Sequence, residues 1–317
     1  MWLSDEALRR LREAVDAPDL AGSRYRLIDR VGRGGMGSVY LAEDTALSRR
    51  VALKVLDFDD PAGELAERLG REARILAQLE HPGIVPVHDV GRLPDGRVFY
   101  AMRYVEGRPL DRHAAEHSEL SARLRLFQRI CEAVAFANDR GVLHRDLKPE
   151  NVMVGPFGEV LVMDWGIAKL LGERDRAGAR PASESATPGS GTRHGSVLGT
   201  PGFMAPEQAR GAVASLDPRT DVYSLGAILR FLLPPDAARP LRAICAEAMA
   251  FEPARRYPGA LELAADISRH LDGQRVSAHR EGIVGALRRL YARHKVAFWL
   301  VVAYLVVRGA ILASLGR

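Results

Sequence analysis

The segment HRDLKPEN, residues 144–151, carries the most specific pattern in this 317-residue sequence. A long helical apolar pattern precedes it and the strand-like run VMV follows it, so we expect a loop between a helix and a strand. The Asp146 carboxylate can orient a hydroxyl nucleophile and accept its proton, and Lys148 can neutralise a phosphoryl group during transfer. Asn151 can supply an oxygen atom to a metal ion. These residue types in this order predict a phosphoryl-transfer loop.

Two further motifs follow this loop in the sequence. MDWG, at 163–166, comes after an apolar strand-like run and presents Asp164, which can bind an Mg²⁺ ion that bridges phosphates. GTPGFMAPE occupies 199–207, and DVYSLG begins at Asp221. Phosphoryl transfer needs positioning and charge neutralisation more than covalent help, and these parts can supply both. Helical apolar patterns are predicted over 121–140, 221–233, 241–250 and 260–271.

A glycine-rich motif, GRGGMGSV at 32–39, lies near the start of the chain between two strand patterns. Glycines allow a hairpin to approach phosphates closely, with backbone N–H groups facing the ligand. Alone the motif is weak, because a flexible turn or a dinucleotide-binding loop gives a similar pattern. A strand pattern at 38–42, and not a helix, follows these glycines, which disfavours the dinucleotide-binding interpretation.

The segment VALK, at 51–54, is a buried type of strand that ends in a lysine. A lysine within such a run is costly unless an acidic group pairs with it. Glu72, on a helix predicted over 64–79, can be that partner, and Lys54 can then hold the α- and β-phosphates of a nucleotide. Taken singly, Lys54 could be an edge residue whose ammonium group reaches solvent, and Glu72 could lie on a solvated helix face.

In order and context these motifs resemble the eukaryotic-like (Hanks-type) protein kinase family, especially its bacterial serine/threonine members, over about residues 25–271. The resemblance implies an α+β, bilobal protein-kinase fold with a β-rich N-lobe, a helical C-lobe and ATP between them. It also implies an ATP-dependent protein-serine/threonine kinase that acts in signal transduction, phosphorylates proteins including itself, and uses Mg²⁺ or Mn²⁺. The implied boundaries are an extension at 1–24 and a kinase domain at 25–272, with N-lobe 25–105, C-lobe 106–272 and activation segment 164–207.

The resemblance also implies roles for individual residues. The implied metal ligands are Asn151 and Asp164, and the implied catalytic set is Asp146, Lys148, Lys54, Glu72 and Thr200. The implied nucleotide-binding set is Val31, Gly32, Arg33, Gly34, Gly35, Gly37, Val39, Ala52, Lys54, Met102, Arg103 and Val105. Met102 resembles the gatekeeper, and the hinge follows it at 103–105.

Two further expectations come from the resemblance. Glu207 should form a buried ion pair with Arg255 that holds the C-lobe together. Arg145, directly before Asp146, suggests control by phosphorylation of the activation segment. The candidate acceptors are Ser183, Ser185, Thr187, Ser190, Thr192 and Ser196.

Three features depart from the family pattern. Trp165 replaces the usual phenylalanine after Asp164, and the activation segment is extended by a stretch rich in Ser, Pro and Gly at 172–196. The spacing from Asp221 to Arg255 is about half of that in relatives, so the helix that normally follows the Asp221 helix is predicted to be missing. A pseudokinase that serves as a nucleotide-binding scaffold is therefore an alternative. A small-molecule kinase is a second one, which the complete GTPGFMAPE segment argues against.

The charge and hydropathy of the C-terminal end predict a membrane tether. Residues 273–295 hold six basic residues and one acidic residue, which accounts for the whole net charge of +5. This clustering favours a membrane surface over nucleic acid as the partner. A basic juxtamembrane segment at 273–295 and a transmembrane helix at 296–315 are predicted, with the kinase domain on the cytoplasmic side. A helix packed on the C-lobe is the alternative for the basic segment, and a homodimer is left open.

The two cysteines, Cys131 and Cys245, have no neighbouring cysteine or histidine at the spacing of a zinc site. Both lie in helical apolar patterns, which predicts buried free thiols.

Overall fold

The computed structural model of the chain describes eight stretches that together include both halves of the fold. They are 17–34, 37–56, 73–74, 76–165, 202–211, 216–279, 299–305 and 307–308. Glu72, Thr200, the candidate phosphorylation sites and most of the segment 296–315 lie outside the described residues.

Among the described residues of the N-lobe, five antiparallel strands form one sheet, in the spatial order β1-β2-β3-β5-β4. They are β1 (Tyr25–Gly34), β2 (Gly37–Asp44), β3 (Arg49–Leu56), β4 (Val87–Arg92) and β5 (Val98–Arg103). β3 and β5 lie inside the sheet, while β1 and β4 form its edges.

The central strand β3 is covered on both faces. Leu53 and Val55 pack into a cluster confined to the N-lobe, whereas Ala52 and Leu56 belong to the core that continues into the C-lobe. Because alternate residues of a strand point to opposite faces, Lys54 lies on the C-lobe side of the sheet. The strand therefore places a lysine at the junction of the two lobes.

The described part of the C-lobe is helical, with one small antiparallel sheet. Its helices are α1 (Leu110–Glu116), α2 (Leu120–Asp139), α3 (Pro206–Ala209), α4 (Pro218–Leu232), α5 (Arg239–Ala248) and α6 (Ala260–Leu271). The strands are β6 (Arg108–Pro109), β7 (Val152–Val154) and β8 (Val160–Val162). The four helices predicted from apolar spacing are confirmed as α2, α4, α5 and α6, with ends that shift by up to three residues.

Helix α4 is the centre of the C-lobe and packs against α2, α5 and α6. Apolar residues surround most of its circumference, which is typical of a helix buried on all sides. It begins with Pro218 after Asp217, whose side chain accepts a hydrogen bond from the backbone N–H of Arg219 at 2.8 Å. An acidic N-cap followed by proline is a strong start signal for a helix.

The connection between α4 and α5 is short. Residues 233–238 form a turn and extended backbone, and α5 begins directly afterwards. The predicted absence of a helix at this place, which lies within the continuously described stretch 216–279, is confirmed.

The chain remains attached to the C-lobe beyond residue 272. Val276 is 2% exposed, and the backbone N–H groups of Ser277 and Ala278 donate to the buried Asp266 carboxylate at 2.8 and 3.0 Å. The folded unit therefore includes residues 276–278, which the sequence placed in the basic segment.

Residues 299–305 are helical, and five of their large side chains are more than half exposed: Trp299, Leu300, Val301, Tyr304 and Leu305. Among the residues that the structure describes, no helix is both long enough and apolar enough to cross a membrane. Cys131 and Cys245 are buried and free, as predicted.

Candidate active site

The loop at 144–151 is held by one buried carboxylate. Asp221, on α4, is fully buried and accepts hydrogen bonds from the backbone N–H groups of His144 at 2.9 Å and Arg145 at 3.0 Å. Asn138, at the end of α2, donates to the same carboxylate at 2.9 Å. Arg145 has a left-handed backbone, with φ of 64°, which is uncommon for a residue other than glycine. These buried hydrogen bonds hold the loop in an otherwise unfavourable conformation.

Asp146, Lys148 and Asn151 meet at the tip of this loop. The Asn151 side-chain amide donates to the backbone oxygen of Asp146 at 2.7 Å and to its Oδ2 at 3.2 Å. The Lys148 ammonium lies 3.5 Å from Asp146 Oδ2. The Asp146 and Lys148 side chains are 23% and 25% exposed, so the carboxylate is oriented by its neighbours and still reachable by a ligand.

A second loop, which begins at Met163, is tied to the first. The backbone N–H of Met163 donates to the Asn151 carbonyl at 2.8 Å, and His144 Nε2 donates to the Met163 carbonyl at 2.9 Å. Burial lowers the pKa of His144, partly offset by Asp221, so the imidazole is neutral. Since Nε2 carries the proton, Nδ1 accepts the N–H of Asp146 at 3.3 Å.

Asp164 lies at the junction of the two lobes. Its φ is 55°, a second left-handed residue that is not glycine. Lys54 of β3 lies 2.7 Å from Asp164 Oδ1, and the Tyr100 hydroxyl of β5 donates to the same oxygen at 3.2 Å. The structure therefore pairs Lys54 with Asp164; whether it also pairs with Glu72 falls outside the described residues.

Trp165 occupies the position after Asp164 and is 5% exposed. Its ring packs against the His144 imidazole with a centroid separation of 4.7 Å, and its indole N–H donates to the Val162 carbonyl at 3.2 Å. A phenylalanine could make the first contact but not the second. The tryptophan thus adds a hydrogen bond that holds the start of the loop against β8.

The glycine-rich motif forms the turn-side ends of β1 and β2. Val31, Gly32 and Arg33 lie on the exposed edge strand, and Gly35 is outside the described residues. Gly37 has φ of 146°, and a Cβ atom there would lie 2.1 Å from the Val55 carbonyl oxygen. Only glycine fits where β2 approaches β3 so closely.

Other residues predicted to bind the nucleotide lie on the neighbouring strands. Ala52 and Met102 face each other across β3 and β5, and each is 6% exposed. Val39 of β2 is paired with Lys54 and packs on the same core. Arg103 ends β5, and Val105 lies two residues beyond it. Gly34 is the last residue of β1, paired with the first of β2.

The predicted ion pair between Glu207 and Arg255 is wrong by one residue. Glu207 binds Arg256 through two parallel hydrogen bonds of 2.7 and 2.8 Å, and both side chains are almost fully buried. Arg255 lies in a 3₁₀ turn and instead pairs at 3.2 Å with the exposed Glu252. The turn points the first arginine to solvent and the second one inward.

Three residues of the site had no predicted role. In the sequence, Asp221 stands out only as the start of the DVYSLG motif, and nothing in the sequence pattern assigns a role to Tyr100. Gln208 of α3 donates to the Arg145 carbonyl at 2.8 Å and thereby links the segment after the activation loop to the loop at 144–151. A charged residue inside an apolar helix pattern, as at Asp221, was the one available signal.

A two-lobed fold, with a lysine–aspartate pair between the lobes and an HRDLKPEN loop anchored from the central helix, defines the protein kinase class. The protein kinase domain family matches residues 25–240. The chain belongs to this family, as a bacterial Hanks-type member.

Curated relatives carry the name serine/threonine-protein kinase PknD. The protein from Chlamydia muridarum is 38% identical over 303 residues, covering 79% of this chain and 32% of that protein. The protein from Chlamydia pneumoniae is 35% identical over 294 residues, covering 79% of this chain and 31% of that protein. This chain therefore spans about a third of the length of these relatives.

Solved structures agree with the fold. One crystal structure of the Mycobacterium tuberculosis PknI kinase domain matches with a TM-score of 0.58 and 26% identity, covering 80% of this chain and 98% of that one. A second structure of the same domain matches with a TM-score of 0.58 and 28% identity, and the match covers 79% of this chain and 96% of that one.

Proposed function

We propose that this chain is a protein-serine/threonine kinase that transfers the γ-phosphoryl group of ATP to a serine or threonine hydroxyl. The observation that carries the proposal is the arrangement of Asp146, Lys148 and Asn151 on a loop held by the buried Asp221. A pseudokinase would have no need for a reachable, oriented carboxylate at Asp146. The names of the relatives further support serine and threonine as acceptors.

Asp146 is proposed to orient the acceptor hydroxyl. The hydroxyl oxygen forms a bond to the γ-phosphorus, the bond from that phosphorus to the β–γ bridging oxygen breaks, and ADP leaves. The acceptor proton passes to the Asp146 carboxylate and from there to solvent. Lys148, 3.5 Å from Asp146, neutralises the negative charge of the phosphoryl group in transfer.

Asn151 and Asp164 are proposed to hold the divalent metal ion. The Asn151 amide nitrogen is used by Asp146, so its carbonyl oxygen is available as a ligand. Both contacts of Asp164 with described residues are at Oδ1, which leaves Oδ2. Two oxygen donors fit Mg²⁺ or Mn²⁺, which take their remaining ligands from water and nucleotide phosphates. When bound, the ion neutralises phosphate charge.

Lys54 is proposed to hold the nucleotide phosphates between the lobes. It extends from the buried strand β3 with its side chain 13% exposed. Ala52 and Met102, on the same side of the sheet, form an apolar wall suited to the adenine ring. The glycine-rich ends of β1 and β2 would cover the phosphates.

The test is phosphate transfer from γ-labelled ATP by the full-length chain, with a generic basic protein as acceptor. We expect label on phosphoserine or phosphothreonine, and its loss in Asp146→Asn. A wild-type protein that binds nucleotide but transfers no label would contradict the proposal and favour the pseudokinase. Label on phosphotyrosine alone would contradict the acceptor class.

We also propose that the chain is anchored to the cytoplasmic face of a membrane through its C-terminal segment. The support is the apolar sequence at 296–315 after a basic stretch, together with the exposed apolar side chains at 299–305. Arg308 is the one charged residue in that segment and would reach toward the interface. Fractionation tests this: the full-length chain should sediment with membranes after a carbonate wash, while a chain truncated after 279 should not.

A further inference from the structure

Tyr100 lies in the centre of the N-lobe sheet, directly opposite Lys54. β5 runs between β3 and β4, and the strand register pairs Tyr100 with Lys54 on one side and Val90 on the other. The side chain is 4% exposed and belongs to the core shared by the two lobes. This is the interior of the site proposed to hold nucleotide and metal.

The tyrosine contacts both members of the ion pair in that site. Its hydroxyl donates to Asp164 Oδ1 at 3.2 Å, and the Lys54 ammonium lies 5.9 Å from the centre of its ring. Lys54 itself lies 2.7 Å from the same Oδ1. One carboxylate oxygen therefore has two donors, one from each of two adjacent strands.

Burial makes the tyrosine a dependable donor. A tyrosine hydroxyl ordinarily keeps its proton at neutral pH, so it can donate to the Asp164 carboxylate. A buried phenol hydroxyl without a partner is costly, which favours the bond to Asp164.

We infer that Tyr100 is a positioning residue that holds Asp164 through Oδ1 and leaves Oδ2 to the divalent metal ion. The inference rests on the proposed function, since it concerns the metal of that reaction. When nucleotide phosphates attract Lys54, the tyrosine remains as the partner of Oδ1. Outer partners of this kind fix the orientation of a ligating carboxylate, and their loss typically weakens metal binding by 10–100-fold.

A purely structural role is the competing explanation. In that case the ring fills space in the core, and phenylalanine would serve equally well. The two roles differ in what the hydroxyl does, so the Tyr100→Phe variant separates them.

The chain offers a matched control in Tyr25. This residue is also a buried tyrosine of the N-lobe sheet, 5% exposed, and its hydroxyl donates to the Asp89 carboxylate at 2.8 Å. It belongs to the cluster on the other side of the sheet. Tyr25→Phe therefore removes the same kind of hydrogen bond away from the nucleotide site.

The experiment measures Mn²⁺ binding to the full-length chain by electron paramagnetic resonance, with a non-hydrolysable ATP analogue present. We expect Tyr100→Phe to weaken Mn²⁺ binding about 10-fold and to raise the Mg²⁺ concentration for half-maximal transfer similarly. Metal-free binding of the analogue should stay unchanged, and Tyr25→Phe should behave as wild type.

Mn²⁺ affinity of Tyr100→Phe within twofold of wild type would overturn the inference, as would an equal loss in Tyr25→Phe. If the phenylalanine variant does not fold, Tyr100→Met gives the same test with another apolar side chain that lacks a donor. Wild type that binds Mn²⁺ with the analogue but transfers no phosphate would contradict the proposed kinase activity separately, since the binding readout does not need transfer.

Discussion

The loop at 144–151 and the glycine-rich end of β1 are held in opposite ways. The loop contains the fully buried His144, hydrogen-bonds to the fully buried Asp221, and ends in the nearly buried Asn151. On the edge strand β1, Val31 is 56% exposed, and a Cβ atom added at Gly32 would meet nothing within 4 Å. The groups proposed to position the reaction are thus fixed from inside the C-lobe, whereas the strand proposed to cover the nucleotide can adjust to it.

The largest loss of stability is expected from Arg256→Ala. This change leaves Glu207 buried without its partner, which typically costs 3–5 kcal/mol. It also loosens α3, whose Gln208 supports the loop at 144–151. Urea unfolding measures the effect.

The neighbouring Arg255→Ala is the matched control, because its ion pair with Glu252 is exposed and is expected to contribute about 0–1 kcal/mol. A greater loss in Arg255→Ala than in Arg256→Ala would overturn the assignment of the buried pair.

Asp221→Asn is expected to reduce both stability and turnover. An amide group would face the N–H groups of His144 and Arg145, and hydrogen bonds to a charged group contribute about 1.5–3 kcal/mol each. We expect the free energy of unfolding to fall by about 3 kcal/mol and kcat by about 100-fold, with ATP affinity unchanged.

Asp217→Asn makes the same change four residues earlier. Because asparagine is as good an N-cap as aspartate, this control should have little effect on stability or turnover. If Asp221→Asn lost ATP affinity by the same factor as kcat, the loop at 144–151 would not act separately from the strand β1 that is proposed to cover the nucleotide, and the comparison above would be wrong.

Gly37→Ala should disturb the glycine-rich ends of β1 and β2, and not the loop at 144–151. The added Cβ would lie 2.1 Å from the Val55 carbonyl oxygen, so β2 must move away from β3 at a cost of about 1–3 kcal/mol. We expect a lower melting temperature and a higher KM for ATP with a smaller change in kcat. Gly32→Ala, where the space is open, should leave the melting temperature unchanged; equal destabilisation by both would refute the packing argument.

The smallest effect is expected in the pH dependence of stability. Burial by itself raises the pKa of Asp266, but hydrogen bonds from Ser277, Ala278 and Arg269 lower it to about 2. Because the folded pKa is below the ordinary value of 3.8, the stabilisation is present above about pH 4 and is lost as the pH falls toward 2.

Asp266→Asn should therefore be less stable than wild type at pH 6, with a difference that shrinks at pH 3. Denaturant unfolding at both values measures this, with the exposed Asp272→Asn as control. If the stability difference between Asp266→Asn and wild type were the same at pH 6 and pH 3, the proposal that the ionised Asp266 carboxylate anchors residues 276–278 would be wrong.

The residues proposed to carry the chemistry could be picked out from the sequence because their types and spacing are local. The loop at 144–151, Asp164 and the missing helix after α4 were all accessible in this way. The sequence could not show whether Arg255 or Arg256 pairs with Glu207. That choice depends on the direction of a 3₁₀ turn, after which the Arg256 side chain contacts α4. Tyr100 was hidden in an ordinary apolar strand, and its role depends on Asp164, which is distant in sequence.

The most direct test of the proposed kinase activity and of the role of Asp146 is the rate of phosphoryl transfer in a single turnover, with ATP binding measured in parallel. For Asp146→Asn we predict nucleotide affinity equal to wild type and a phosphoryl-transfer rate lower by about 10²–10⁴-fold. Transfer by Asp146→Asn at the wild-type rate would contradict the assignment of Asp146, and no transfer by wild type with nucleotide bound would contradict the proposed kinase activity.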